Sequence, residues 1–162
     1  MYSYDLNDKL SDYVEGCGLL FERWGLPRTA GRIWGWLHVC NPPRQTAQDL
    51  VDALHVSKGS VSMNTRLLES LGLVERIGVP MSRQGHYRLR DDGFEAILSM
   101  RIKGAKEARD IAERGLRVIG SAEPLRTNRL ERQRDFYAFM VNELELLLRD
   151  WQEHKGKSPV VR

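Results

Sequence analysis

Along the start of the chain apolar residues recur every three or four positions: Leu6, Leu10, Tyr13, Val14, Cys17, Leu20, Phe21 and Trp24. That spacing lines one face of an α-helix and predicts an amphipathic helix over about residues 4–23. Gly25 ends it. Pro27, whose φ is already set for helix, is expected in the first turn of a second helix that runs to about Val39 and stops before Asn41-Pro42-Pro43. Thr46 followed three residues on by Asp49 has the form of a capping box, and Ala47, Leu50, Val51 and Leu54 give the short helix behind it a buried face. His55 and Val56 then make a tight turn and Ser57 caps a further helix. Val61, Thr65, Leu68 and Leu71 share one side of it, and Gly72 stands in the place of a C′ glycine.

The period changes after Gly72. Residues 73–78 and 85–90 read as two short strands joined by a loop containing Pro80, Ser82 and Arg83, a hairpin. Tyr87 and Leu89 alternate with His86, Arg88 and Arg90, so the first pair is expected on the core side and the cations toward solvent. Asp91-Asp92 precede another helix that begins near Gly93, carries Phe94, Ile97, Leu98, Ile102 and Ala105, and continues to about Val118. After a break at 120–124, a last helix sets Leu130, Tyr137, Leu144 and Trp151 seven residues apart, with Met140 and Leu147 between them. The tail from about Lys155 reads as disordered.

The expected fold is mainly α with a small β-hairpin, a winged helix-turn-helix flanked by N- and C-terminal dimerisation helices. The winged helix-turn-helix occupies 27–95, the N-terminal dimerisation helix 1–24, the C-terminal dimerisation helices 96–154 and a flexible tail 155–162. A winged helix of about 70 residues cannot cover both flanking apolar stripes, so a two-fold homodimer is expected. Its interface draws on Leu10, Tyr13, Cys17, Leu130, Tyr137, Met140, Leu144, Leu147 and Trp151.

Charge sharpens this picture by its distribution rather than its sum. The 162 residues carry a formal net charge of only +3. Yet no acid lies between Arg23 and Gln48, where Arg28, Arg32 and Arg44 stand, and none between Ala53 and Leu68, where Lys58 and Arg66 stand. From Arg76 to Arg90 there are four arginines and no acid. A locally basic middle in a nearly neutral chain is what a confined phosphate-binding surface requires.

If Val61, Thr65, Leu68 and Leu71 face the core, helix geometry turns Lys58, Gly59, Ser60, Ser62, Met63 and Arg66 outward. That face is small, polar or basic, and so uncrowded enough to enter a major groove. Arg44, Thr46 and Ser57 flank it. Arg83 near the hairpin tip, with His86 and Arg88 on the returning strand, supplies a second contact, on the minor groove or backbone. The expected partner is therefore double-stranded DNA.

The stretch TAQDLVDALHVSKGSVSMNTRLLESLGLVER, continuing to HYRLRDDGF, resembles the MarR superfamily of bacterial regulators. GLPRTAGRIWGWL ahead of it is similar to the GbsR-like branch of that group. The likeness covers about residues 23–95. It implies a homodimeric regulator on a pseudo-palindromic operator, commonly a repressor released by a small molecule, with Ser57 through Arg66 as recognition helix, in a helix spanning 57–71, and Arg83 at the tip of a wing spanning 73–90. The wing lacks the Asp-Arg pairs frequent in the superfamily.

Other readings attach to single features. Tyr13, Trp24, Trp34 and Trp36 suggest an aromatic pocket for an effector, or core packing. Cys17 suggests a peroxide-sensing thiol, or a buried free one, and His38 with Cys40 a partial metal site without further ligands. A winged helix also serves as a protein-docking module. His38, His55, His86 and His154 are scattered, with no HExxH, P-loop or GxSxG sequence. No enzyme and no cofactor is expected. Two cysteines without a CxxC, no basic N-terminal leader and no apolar run near the roughly 20 residues of a membrane span point to the cytoplasm, away from membranes.

Overall fold

The computed structural model describes residues 3–80, 84–120 and 124–157. Among these residues the order of elements is α1 (Ser3–Arg23), α2 (Arg28–Val39), β1 (Gln45–Thr46), α3 (Ala47–Leu54), α4 (Lys58–Ser70), β2 (Val74–Gly78), β3 (Gly85–Leu89), α5 (Gly93–Ile119) and α6 (Pro124–Lys157). They divide into two units, Met1–Phe94 and Glu95–Arg162.

In the first unit α1 lies against α2. Val14, Cys17 and Phe21 from one helix and Ala30, Ile33 and Leu37 from the other are buried. The helices meet most closely at Gly31, where a Cβ would stand 2.8 Å from Phe21 Cβ and 2.9 Å from the Cys17 carbonyl carbon. Val14, Cys17 and Phe21 of the apolar stripe read from the sequence are thus buried within the chain, while Tyr13 and Trp24 of the same stripe stay exposed. Leu50 and Leu54 of α3, Val61 and Leu68 of α4, and Leu73 and Val74 continue the same core. Burying each such side chain stabilises by roughly 1.5–3 kcal/mol.

The caps explain where the short helices begin and end. Thr46 Oγ1 accepts from the Asp49 amide at 3.1 Å while Asp49 Oδ2 accepts from the Thr46 amide at 2.8 Å, the expected capping box. His55 takes the left-handed conformation at φ 53°, which turns α3 sharply into α4. Ser57 Oγ accepts from the Ser60 amide at 3.1 Å. At the other end of α4, Gly72 N donates to Glu69 O and Leu73 N to Leu68 O, both at 3.0 Å, closing a Schellman turn around Gly72 at φ 71°. Pro27 stands one place earlier than expected, at the N-cap of α2 with ψ 131°, so the helix proper starts at Arg28.

The hairpin is part of a three-stranded antiparallel sheet of order β1-β3-β2. The added strand, β1, pairs Gln45 with Tyr87 and Thr46 with His86. Two residues are too few to show an alternation, so the sequence pattern could not reveal it. Gln45 is buried and holds the strand to α2, its Oε1 accepting from Trp36 Nε1 at 3.3 Å and its Nε2 donating to Pro42 O at 3.0 Å.

In the second unit α5 and α6 run antiparallel. Glu95 near the start of α5 meets Lys155 near the end of α6, Lys106 meets Glu145, and the Leu130 side chain lies over Gly115. Ile102, Ala105, Ala112 and Val141 are buried between them. The expected flexible tail starts too early: α6 continues through Lys157, and Lys155 Nζ donates to Glu95 Oε1 at 2.8 Å, which ties its last turns down. Among the described residues no helix is long and apolar enough to cross a membrane.

Candidate nucleic-acid interface

Four positions of α4 turn inward: Val61, Asn64, Thr65 and Leu68. Leu71, expected among them, is the half-buried C-cap, and Asn64 holds an inward place that an apolar pattern cannot mark. Asn64 Nδ2 donates to the Ser60 carbonyl at 2.8 Å and Thr65 Oγ1 to the Val61 carbonyl at 2.9 Å, so the preceding turn receives both donors. On the opposite side Lys58, Gly59, Ser62, Met63 and Arg66 are exposed. Ser60 is half-buried, its Oγ 3.4 Å from Asn64 Nδ2. Met63, 65% exposed, is the bulky apolar group of this face.

Both caps of the helix-turn-helix carry hydroxyls. Because Thr46 and Ser57 spend an acceptor lone pair on backbone amides, their O–H hydrogens remain for an outside oxygen, a chemistry suited to phosphate. Arg44, just before β1, is exposed.

The hairpin alternates as expected, with Tyr87 and Leu89 on the core side and Arg88 and Arg90 exposed, but it does not bring His86 and Arg88 beside α4. Its register pairs Val74 with Leu89, Arg76 with Tyr87 and Gly78 with Gly85, and these share one face of the sheet. Glu75 with Arg88 and Ile77 with His86 share the other. The first face is the one toward the helices: Arg76, Gly85 and Tyr87 line a groove of about 280 Å³ with Ala47, Gln48, Lys58 and Gln84. His86 and Arg88 therefore stand on the face opposite Lys58. Arg88 Nε donates to Glu75 Oε1 at 2.6 Å, and Arg90 forms a two-pronged pair with Asp92 at 2.7 and 2.8 Å, which holds its guanidinium above the usual range. Among the described residues no carboxylate pairs with Arg76. Arg83, the expected wing tip, and Ser82 lie outside the described residues.

Two more arginines of the basic middle are engaged elsewhere. Arg28 Nε donates to Glu15 Oε1 at 2.7 Å, and Arg32 Nε lies 3.2 Å from Glu15 Oε2 while its Nη2 donates to the Leu54 carbonyl at 3.0 Å. Their partner comes from α1, a helix away in sequence, so a gap between acids along the chain did not mean a gap in space.

The expected aromatic cage does not assemble. Trp24 and Trp34 pack on Phe21 at centroid distances of 5.7 and 5.5 Å, with His38 edge-on to Trp34 at 4.3 Å. Trp36 bonds Gln45 instead and lines a separate cavity of about 230 Å³ with Leu10, Ser11, Val14, Glu15, Arg32, Ala53 and Leu54. Adjacent even positions on a helix diverge by about 200°, so Trp34 and Trp36 cannot converge on one ligand. Cys17 is 6% exposed and packs against Gly35, so its thiol is a buried core group in this chain. Tyr13 beside it is exposed; burial raises its hydroxyl pKa and the Cys17 thiol adds to the rise. Among the described residues no three or more His, Cys, Asp or Glu side chains gather as a metal site.

Of the C-terminal residues expected at a dimer surface, Leu130, Tyr137, Met140, Leu144 and Trp151 are half-buried within the unit, and Leu147 is exposed. In α6 the seven-residue spacing passed over the outward Leu125, Leu146, Phe136 and Phe139, the last two 57% and 62% exposed, and Ile111 and Val118 of α5 also face outward.

This geometry has close relatives. A profile of the MarR family matches residues 24–85, and one described as MmpR5-like MarR family transcriptional regulator matches 92–154. The HTH-type transcriptional regulator MmpR5 of Mycobacterium tuberculosis is 39% identical over 148 residues, spanning 91% of this chain and 90% of that protein. The chain belongs to the MarR family of transcriptional regulators. A solved structure described as a transcriptional regulator agrees with this MarR chain at 39% identity and a TM-score of 0.79, covering 90% of it and 99% of its own length. The matched group is MmpR5-like; the GbsR-like likeness of residues 25–37 has no counterpart among these matches.

Proposed function

We propose that this MarR protein is a sequence-specific regulator that binds double-stranded DNA as a homodimer, with the start of α4 in the major groove and the β2–β3 hairpin on the minor groove or backbone. The observation that carries the reading is the outward face of α4. Lys58, Gly59, Ser62 and Arg66 are exposed after the Ser57 cap, and Lys58 shares an acid-free groove with Arg76 of the hairpin. Helix termini and basic side chains there position the backbone, while Ser60, Ser62 and Arg66 reach base edges. The outward apolar groups of α5 and α6 support a two-fold partner.

Repression with release by a small molecule fits the same architecture. The cavity bounded by Val14, Arg32, Trp36 and Leu54 touches α1, α2 and the end of α3, so a ligand there would bear on the seat of the helix-turn-helix.

Arg66→Ala and Lys58→Ala test the reading, with a duplex selected by the wild-type protein as probe and fluorescence anisotropy as readout. Each is expected to weaken binding about tenfold or more, as the loss of one good base or phosphate contact does, with the melting temperature unchanged. Unchanged affinity in both variants would remove the proposed surface. Affinity that fails to fall steeply between low and moderate salt would favour a protein-docking module instead, because counterion release belongs to nucleic acid.

A further inference from the structure

We propose that Arg76 and Lys58 form a pocket for one backbone phosphate of the DNA, and that Gly85 exists to let Arg76 reach it; the inference rests on the DNA-binding reading above. Arg76 sits on the helix-facing side of the sheet, opposite Tyr87. Its side chain runs diagonally across the strand pair and passes over Gly85. A Cβ built at Gly85 would fall on the guanidinium, 2.8 Å from both Cζ and Nη2. Gly85 has no left-handed φ, so its backbone asks for no glycine and the missing side chain is a matter of space alone.

That path ends in the groove that Arg76 shares with Lys58, Gln48 and Tyr87, and no acid is among the lining residues. The nearest carboxylates along α3 are occupied: Asp49 accepts from the Thr46 amide, and Asp52 accepts from Gln48 Nε2 at 2.8 Å. Two cations facing one acid-free groove favour an anion, and a planar guanidinium fork beside a compact ammonium suits a phosphate. The groove adjoins Lys58, the first residue of α4, so a phosphate held there would fix how α4 meets the bases without reading them. Among the hairpin arginines of the described residues, Arg88 and Arg90 are committed to Glu75 and Asp92, which leaves this work to Arg76.

The test measures anisotropy across about 50–200 mM salt, the range over which phosphate contacts are most sensitive. The full-length protein is titrated with two duplexes, one selected by the wild type and one of scrambled sequence. Arg76→Ala is expected to weaken both by the same factor, about five- to tenfold, and to flatten the salt slope by about 0.9 per subunit. Gly85→Ala should cause a comparable loss by displacing the guanidinium, and Gly85→Ala added to Arg76→Ala should cost nothing more. Thermal unfolding confirms that each variant folds. Unchanged affinity and slope in Arg76→Ala, while Lys58→Ala still loses binding, would overturn the pocket and leave the DNA-binding reading standing. A loss confined to the selected duplex, or additive losses in the double variant, would also overturn it. A wild type that binds neither duplex would bring down both.

Discussion

The two units of this chain dispose of their apolar side chains in opposite ways. In Met1–Phe94 the periodic apolar residues of α1 to α4 meet one another: Phe21, Ile33, Leu50, Val61 and Leu68 are each at most 1% exposed. In Glu95–Arg162 Ile102, Ala112 and Val141 are covered, but Ile111, Val118, Leu125, Phe136, Phe139, Leu146 and Leu147 face outward. The first unit buries a continuous core and leaves Tyr13, Leu19 and Trp24 of α1 outside it, whereas the two antiparallel helices leave a longer row of large apolar side chains outward. Amphipathicity therefore means different things in the two halves: a stripe that finds a neighbouring helix is core, and a stripe left over asks for another molecule.

The largest effect is expected in the buried core of the first unit. Phe21→Ala removes a fully buried ring between Gly31, Trp24 and Trp34 and should cost about 3–5 kcal/mol, measured by urea unfolding. A cost below about 1 kcal/mol would mean that this core collapses easily and is not self-sufficient. In the second unit the paired change Phe136→Asp with Phe139→Asp should hardly affect the helical content of a single chain, yet weaken the proposed homodimer by about a hundredfold or more. Light scattering after size exclusion reads that as a halved mass. A dimer that survives both charges would move the partner surface elsewhere.

How much of this could be read from the sequence follows the same division. The caps were legible because they are local: Thr46 with Asp49, Ser57, His55 and Gly72 act over three or four residues. So was the outward face of α4, since helical geometry fixes it once Val61 and Leu68 are placed inward. The charges were not. Arg28 and Arg32 meet Glu15 from thirteen or more residues away, and Arg88 meets Glu75 across a strand register, so counting acids along the chain overstated the free cations. The role of Arg76 is hidden in the sequence for a related reason. Its importance comes from Gly85 on the facing strand, and nothing near Arg76 in sequence marks that absence of a side chain. In α6 the seven-residue spacing found the half-buried face and passed over Phe136 and Phe139, because one chain shows the helix but not which of its two apolar faces the neighbouring helix takes.

Charge contributes least to holding the second unit together. Glu95 lies at the open end of the α5–α6 pair, 14% exposed, and accepts from the more exposed Lys155 Nζ at 2.8 Å. That hydrogen bond holds its carboxyl below the ordinary range, against an opposing push from burial. A carboxylate with a lowered folded pKa contributes stability that is fully present above its unfolded value and is lost as the pH falls through the folded one. Glu95→Gln should therefore lower the melting temperature slightly at pH 7 and by less as the pH drops below about 4, where the wild type loses the same charge. Lys155→Met should show the same convergence, since it removes the partner that lowers Glu95. A pH-independent gap between wild type and Glu95→Gln would show that Glu95 supports the second unit by packing alone, and that the charge linking the two helices rests on Lys106 and Glu145.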